Sequence, residues 1–295
     1  MKQNKTIRII INLLIYLVGI IGSYFLYQLF ESILPPNLNN PLFILIIINV
    51  ILTIFIFTLG TIIKEYNLYN LYWGVVSLFS ILMFALKTKL LSNGNVIIII
   101  ICIAIYTLKS LAEFIIKITN NENDDWKYET LQKKHPSIWP IFAFFLMSLL
   151  PTALLYLGML PAFKYIEEFK RGATPTLSTW LGLVVLLVGI VFEEIAEIQK
   201  SIFNKKQDNK GKICNYGLYK KSRYPQYFGE ILFWFGLCMM GISFVNDQNW
   251  ILISSPVMIL VYISALIIPM NDKHNLEVYH DFDKHKEKTN GFFPF

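Results

Sequence analysis

Residues Asn215–Phe244 read NYGLYKKSRYPQYFGEILFWFGLCMMGISF. The first sixteen set ionisable, aromatic and turn-forming residues directly against a run apolar enough to enter a bilayer. Gly217 and Gly229 allow sharp turns, Pro225 fixes a bend, and Lys220, Lys221 and Arg223 are anion donors. Tyr219, Tyr224 and Tyr227 add rings with one apolar and one polar end. Glu230 then enters the apolar run. A charge there costs roughly 2.5–3.5 kcal/mol at the bilayer centre and less toward the interface, so Glu230 is expected to face protein, water or a ligand.

Working outward, the chain of 295 residues is 55% hydrophobic and 16% charged, with a mean hydropathy of +0.51. That composition excludes an ordinary soluble domain. Stretches long enough to cross a bilayer, about 20 helical residues, are expected at Ile9–Phe30, Pro41–Ile63, Leu71–Leu86, Val96–Ile116, Ile138–Leu160, Thr179–Ile195, Tyr227–Phe244 and Trp250–Pro269. The third is the shortest. None alternates as a barrel strand must, so the expected fold is an all-α polytopic bundle of about eight transmembrane helices.

Lysine and arginine positions orient that bundle. With Lys2, Lys5 and Arg8 cytoplasmic, eight crossings put Lys64, then Lys117, Lys127, Lys133 and Lys134, then Lys200 through Arg223, then Lys273, Lys284, Lys286 and Lys288 on the same side. The other side receives Lys87, Lys89, Lys164, Lys170 and Arg171. The positive-inside rule then makes both termini cytoplasmic. The formal net charge of +6 reads as this topological bias and as attraction to lipid headgroups, with no nucleic-acid partner. The basic start of the first run mimics a secretory signal, but the run is long and lacks a small-residue cleavage site, so a retained helix is expected.

Ionisable groups concentrate after Leu111, which divides the chain into an N-terminal, substrate-side part, residues 1–111, and a C-terminal part, residues 112–295. Glu193 and Glu197 are four apart and share a helix face. They either flank a ligand or cation, or pair locally with Lys200. Lys205, Lys206, Lys210, Lys212, Lys220, Lys221 and Arg223 form a basic tract. Most of it reads as a solvated loop, while Arg223, between tyrosines at a helix base, suits bidentate binding of phosphate. His274 closely follows the last span and can face the same cavity, whereas His135, His280 and His285 lack such a context. No histidine pair has metal-ligand spacing, and Cys102, Cys214 and Cys238 are isolated, so neither a metal site nor a disulfide is expected. Phosphate-loop, dinucleotide, zinc-protease and serine-hydrolase signatures do not occur in the sequence.

GLYKKSRYPQYFGE resembles the C-terminal domain of the steroid 5-alpha-reductase family, closest to a bacterial branch of uncharacterised membrane proteins. The resemblance extends to TWLGLVVLLVGIVFEEIAEIQKSIFNKKQDNKGKICNYGLY upstream, to NDDWKYETLQKKHP, to the Tyr72–Gly74 YWG and to the terminal EKTNGFFPF. It implies a membrane oxidoreductase that binds NADPH from the cytoplasmic side and reduces an activated carbon–carbon double bond in an apolar substrate. Carried over by position, Glu193, Glu197, Lys205, Arg223, Gln226, Glu230, His274 and Tyr279 would line the cofactor pocket. Tyr227 and Glu230 are the candidate catalytic proton donors, the latter when burial holds it protonated. The chain departs from the family's His-Pro-Asn, having Tyr224, Pro225 and Gln226. Glu193 and Glu197 stand where the reductases proper have Asn and Asp.

Isoprenylcysteine and phospholipid methyltransferases share a related basic-aromatic-proline turn and would bring S-adenosylmethionine instead. A non-catalytic lipid-binding or scaffolding protein is the third reading. The expected partners are membrane lipids and an apolar small molecule, and the expected location is the cytoplasmic membrane if the source is bacterial.

Overall fold

The computed structural model describes residues 5–120, 126–242 and 250–295. Among these there is no strand, only an isolated parallel bridge between Ser222 and Asn290. The helices are α1 (Lys5–Ile33), α2 (Pro41–Ile62), α3 (Tyr72–Lys87), α4 (Gly94–Asn120), α5 (Trp126–Lys134), α6 (Trp139–Phe144), α7 (Leu150–Lys170), α8 (Leu177–Lys205), α9 (Pro225–Ile242), α10 (Trp250–Tyr262), α11 (Ile268–Val278) and α12 (Phe282–Lys288). A 3₁₀ turn at Tyr66–Leu71 leads into α3, and π turns at Phe145–Leu149 and Ile263–Ile267 join α6 to α7 and α10 to α11.

Each of the eight expected spans falls on these helices wherever it is described. Residues 243 and 244 of the seventh lie outside the described residues, as do Lys2 and residues 123–125 of the acidic-aromatic loop. Six segments are long and apolar enough to cross a bilayer: Lys5–Ile33, Pro41–Ile62, Leu68–Lys87, Gly94–Thr119, Trp139–Lys170 and Ile251–Val278. The other two expected spans are the consecutive helices α8 and α9, so six and eight crossings leave the termini with the same relative sidedness. The molecule is an all-helical, polytopic membrane bundle.

Two compact units divide the chain, Met1–Tyr156 and Leu157–Phe295. In the first, neutral hydroxyls bridge the helices. Thr53 Oγ1 lies 2.7 Å from both Tyr72 OH and Thr152 Oγ1, Tyr69 OH donates to the Ser148 carbonyl at 2.7 Å, and Tyr72 OH donates to the Asn49 carbonyl at 2.8 Å. Ser148 belongs to a π turn, whose widened backbone frees a carbonyl for such a bond. Arg8 grips the buried Glu65 with both arms of its fork.

In the second unit, glycines let backbones touch. A Cβ on Gly189 would meet Phe233 N at 2.6 Å and Gly229 O at 2.7 Å, and one on Gly182 would meet Gly236 O and Met240 N, each at 2.8 Å. Gly182 and Gly189 on α8, and Gly229 and Gly236 on α9, are each seven apart, so antiparallel pairing aligns both contacts on one seam. α8 and α9 thereby form the most extensive helix pair among the described residues.

Candidate functional site

α9 begins at Pro225, a residue pre-set for the first helical position, and the segment before it is fixed from two sides. On one side the Gly217–Lys220 turn lies on α8: Leu218 N donates to Gln199 Oε1 at 2.8 Å. Gly217 has φ +59, and a Cβ on it would collide with the Gln199 amide, so this position requires glycine twice over. Ala196, Cys214 and Tyr219 form the small buried cluster beneath, and burial raises the Cys214 thiol pKa. Tyr219 OH then donates to Gln226 Oε1 at 3.2 Å, tying this turn to α9.

On the other side the C-terminal tail runs beside residues 221–224. Asn290 N donates to Lys221 O, Arg223 N to Asn290 O and Tyr224 N to Gly291 O, each at 2.9 Å. The buried Asp272 of α11 organises this edge. Arg223 donates through Nε to Oδ1 at 3.1 Å and through Nη2 to Oδ2 at 3.2 Å, Tyr224 OH donates to Oδ1 at 2.9 Å, and Lys286 Nζ lies 3.2 Å from Oδ2. Arg223 Nη1 donates to the carbonyls of Thr289 at 2.6 Å and Lys286 at 3.3 Å. One arginine thus pins α12 and the tail to α11. Burial, then the Asp272 charge, raises the Tyr224 phenol pKa well above its ordinary value, keeping it a neutral donor. His285 of α12 is shifted down from 6.5 by burial and then by Arg223.

The candidate catalytic groups lie on the first turns of α9. Tyr227 OH accepts from Asn271 Nδ2 at 2.9 Å, and Glu230, one turn on, accepts from Trp234 Nε1 at 2.6 Å. Glu193 is buried on α8 where a Cβ on Gly229 would meet its own Cβ at 2.7 Å. The α8–α9 seam therefore carries one acidic candidate directly to the other helix.

A model of a family described as "Protein of unknown function (DUF1295)" matches residues 56–289, well over half of the chain. The chain belongs to that family. The DUF1295 match runs from α2 to Thr289, so it encloses the α8–α9 seam and the clasp that Arg223 and Asp272 form between α9, α11 and α12, and stops short of Asn290 and Gly291 in the tail. No curated protein and no solved structure matches the chain.

Of the residues singled out in this DUF1295 chain, Arg223, Gln226, Tyr227 and Glu230 gather at the start of α9, with Glu193 across the seam. Glu197 is half-buried one turn beyond Glu193, next to Ala196 of the turn cluster. His274 is half-buried on α11, and Tyr279 closes that helix, its N–H donating to Asn275 O. Lys205 is exposed in the last turn of α8, about 9 Å along the axis from Gln199. Asp272 and Asn271 were not anticipated. Two polar residues immediately after a span read as the start of a solvated tail, and only the pairing of residues 44 to 49 positions apart gives them roles. Among the described residues no group of three or more His, Cys, Asp or Glu is arranged to hold a metal ion.

Proposed function

We propose that the chain is an integral membrane oxidoreductase that uses NADPH to reduce an activated carbon–carbon double bond in a lipid or steroid-like enone. The observation that carries the reading is the convergence of SRYPQYFGE with Asn271 and Asp272 at one end of the second unit, which puts an amide donor on the phenol of Tyr227. The donor set suits a dinucleotide. Glu193, Glu197 and Glu230 are acceptors for ribose hydroxyls and a carboxamide, while Lys205, Lys220 and Lys221 are exposed cations for phosphates. Arg223 has its fork filled by Asp272, so it contributes a pocket wall and leaves phosphate charge to the lysines. His274 and Tyr279 complete the lining from α11.

When bound, NADPH supplies a hydride to the beta carbon of the enone. Tyr227 is the proton donor at the enone carbonyl, and Asn271 Nδ2 stabilises negative charge on the phenol oxygen as the proton leaves; the enol then takes a proton from water at its alpha carbon while its O–H proton returns to the phenolate, which leaves the saturated ketone and a neutral Tyr227. Glu230, held by Trp234, lies on the same face of α9 as Tyr227 and is the second candidate.

The test is thermal unfolding of the detergent-purified protein with NADPH, NADH or S-adenosylmethionine, since a ligand that binds only the folded state raises the melting temperature. At 100-fold excess over Kd the stabilisation is about 2.7 kcal/mol. A shift with NADPH is expected. A shift with S-adenosylmethionine alone moves the chain to methyl transfer, and no shift with any of the three leaves the non-catalytic reading.

A further inference from the structure

At the end of α2, Gly60–Tyr66 reads GTIIKEY, and the helix closes there in a Schellman turn. Lys64 takes the left-handed conformation at φ +56, Glu65 N donates to Gly60 O at 2.8 Å and Lys64 N donates to Thr61 O at 3.3 Å. The turn brings Glu65 back toward α2, where it and Thr61 line a cavity of about 10 Å³. Tyr66, Tyr69 and, from α5, Tyr128 stand in the same wall. The proposed chemistry uses none of these residues.

Thr61 departs from the habit of the other helical threonines. Thr53, Thr107, Thr119, Thr130 and Thr152 each return the hydroxyl to the carbonyl four residues back, at 2.7–2.9 Å. Thr61 does not, and its Oγ1 is shut off from solvent with no partner within the protein, which is costly unless a ligand meets it. Glu65 is 6% exposed, and Arg8 gives it one bond per oxygen, Nε to Oε2 and Nη2 to Oε1, the latter at 2.6 Å. An ionised carboxylate accepts about four bonds, so each oxygen can take a second donor. Tyr66 OH accepts from Gln132 Nε2 at 3.0 Å and has its own proton to give. Size and charge then select the occupant. The cavity is on the order of the 10–15 Å³ that one water needs, and a buried water needs roughly two to four polar partners. Arg8 already balances the Glu65 charge, so a cation gains no net attraction, and an apolar group would leave Thr61 unmet.

We propose that this cavity is a buried water site, in which one ordered water accepts from Thr61 Oγ1 and Tyr66 OH and donates to the Glu65 carboxylate. Bound there, the water joins α2 to Arg8 of α1 through Glu65 and to Gln132 of α5 through Tyr66. The site does not depend on the reductase reading, and its test reads no turnover.

The full chain in nanodiscs is given a short X-ray pulse, which turns water into hydroxyl radicals where it stands, and oxidised residues are mapped by mass spectrometry. Tyr128, in the cavity wall, and Tyr72, whose hydroxyl meets Thr53 and the Asn49 carbonyl, are both buried. Oxidation of Tyr128 is expected to outpace that of Tyr72. Thr61→Val, which keeps the shape and deletes the hydroxyl, should cut Tyr128 oxidation by about fivefold, the change that one ordinary hydrogen bond supplies, while Thr61→Ser should retain it. Where Thr61→Val fails to fold, an experimental density map of the unaltered chain that resolves ordered water decides, a peak within roughly 3 Å of both Thr61 Oγ1 and Glu65 being expected. Tyr128 oxidised no faster than Tyr72, equal oxidation in Thr61→Val, a map without that peak, or a melting temperature that rises with sodium over choline and loses that rise in Thr61→Val each overturn the proposal.

Discussion

The two units solve one problem with different emphasis. Apolar burial gives helices no reason to associate in lipid, so association rests on close packing of small residues and on polar side chains as glue. Met1–Tyr156 relies more on glue: Thr53, Tyr69, Tyr72 and Thr152 set hydroxyls between helices, with Gly74 of α3 bringing backbone close to α4, where its Cβ would meet Thr107 Cα at 3.0 Å. Leu157–Phe295 relies on contact, with Gly182, Gly189, Gly229 and Gly236 bringing α8 and α9 together and Gly241 placing α9 against Pro161. Where backbones touch, no ligand fits between them. Between α8 and α9 a ligand is therefore confined to the helix ends, where Asp272, Arg223 and the tail build walls from charge.

The sharpest way to break this contrast is to remove the charge. Asp272→Ala strands the buried Arg223 fork and the Tyr224 hydroxyl, and removing one partner of a buried pair costs about 3–5 kcal/mol. The expected result is a lower unfolding midpoint together with rapid proteolysis at Lys284–Lys288, because the same arginine holds the Lys286 and Thr289 carbonyls. Asp272→Asn keeps the volume and part of the bonding and should lose less.

The seam is next in size. Gly189→Ala drives a methyl onto Phe233 N and Gly229 O, backbone atoms that cannot move aside, for a loss of about 1–3 kcal/mol. Gly22→Ala on α1 is the matched control, since nothing lies within 4 Å of its Cβ position. There the higher helix propensity of alanine should be neutral or gain up to about 1 kcal/mol. Equal losses at both positions in a thermal unfolding series would remove the distinction between the units.

Removing glue should cost less than removing contact. Thr53→Val keeps shape and deletes the hydroxyl that meets Tyr72 and Thr152. Polar bonds between membrane helices are worth about 0.6 kcal/mol on average and up to about 1.7. A loss near 1 kcal/mol is expected, below that of Gly189→Ala.

Sequence alone reveals these devices unevenly. Long apolar runs announce helices, because spanning a bilayer demands length and composition and little else, and the eight expected runs fall on helices wherever described, six of them long and apolar enough to cross. Glu230 with Trp234 is an i,i+4 pair and could be read from spacing. The seven-residue spacing of the glycines is visible as well, but its meaning requires knowing that α8 meets α9 antiparallel, which no periodicity within one helix supplies. Asp272 was the least legible. An acid after the last span carries no local mark of burial, and its partners arrive from the α9 entry and from α12. Arg223 stood out for a fork suited to two oxygens, and in the structure a protein carboxylate, Asp272, meets that fork.

The smallest effect tests whether the clasp is held by charge as the helix seam is held by contact. His285 faces Arg223 and is neutral more readily in the folded chain, its pKa lowered from the ordinary value of 6.5 by burial and then by that guanidinium. The unfolded chain therefore binds the extra proton first, and stability must fall as pH drops below 6.5, with no change above it. Protonation sets a third cation beside Arg223 and Lys286 with Asp272 as the shared counter-charge. Tail proteolysis should accelerate between pH 7.5 and 5.5, and His285→Gln should flatten that response while leaving the rate at pH 7.5 nearly unchanged. The Gly189→Ala loss should be the same at both pH values, because a steric contact binds no protons. A tail whose release is indifferent to pH, or a glycine effect that follows it, would mean that charge and contact do not divide the work between helix ends and helix seam in this unit.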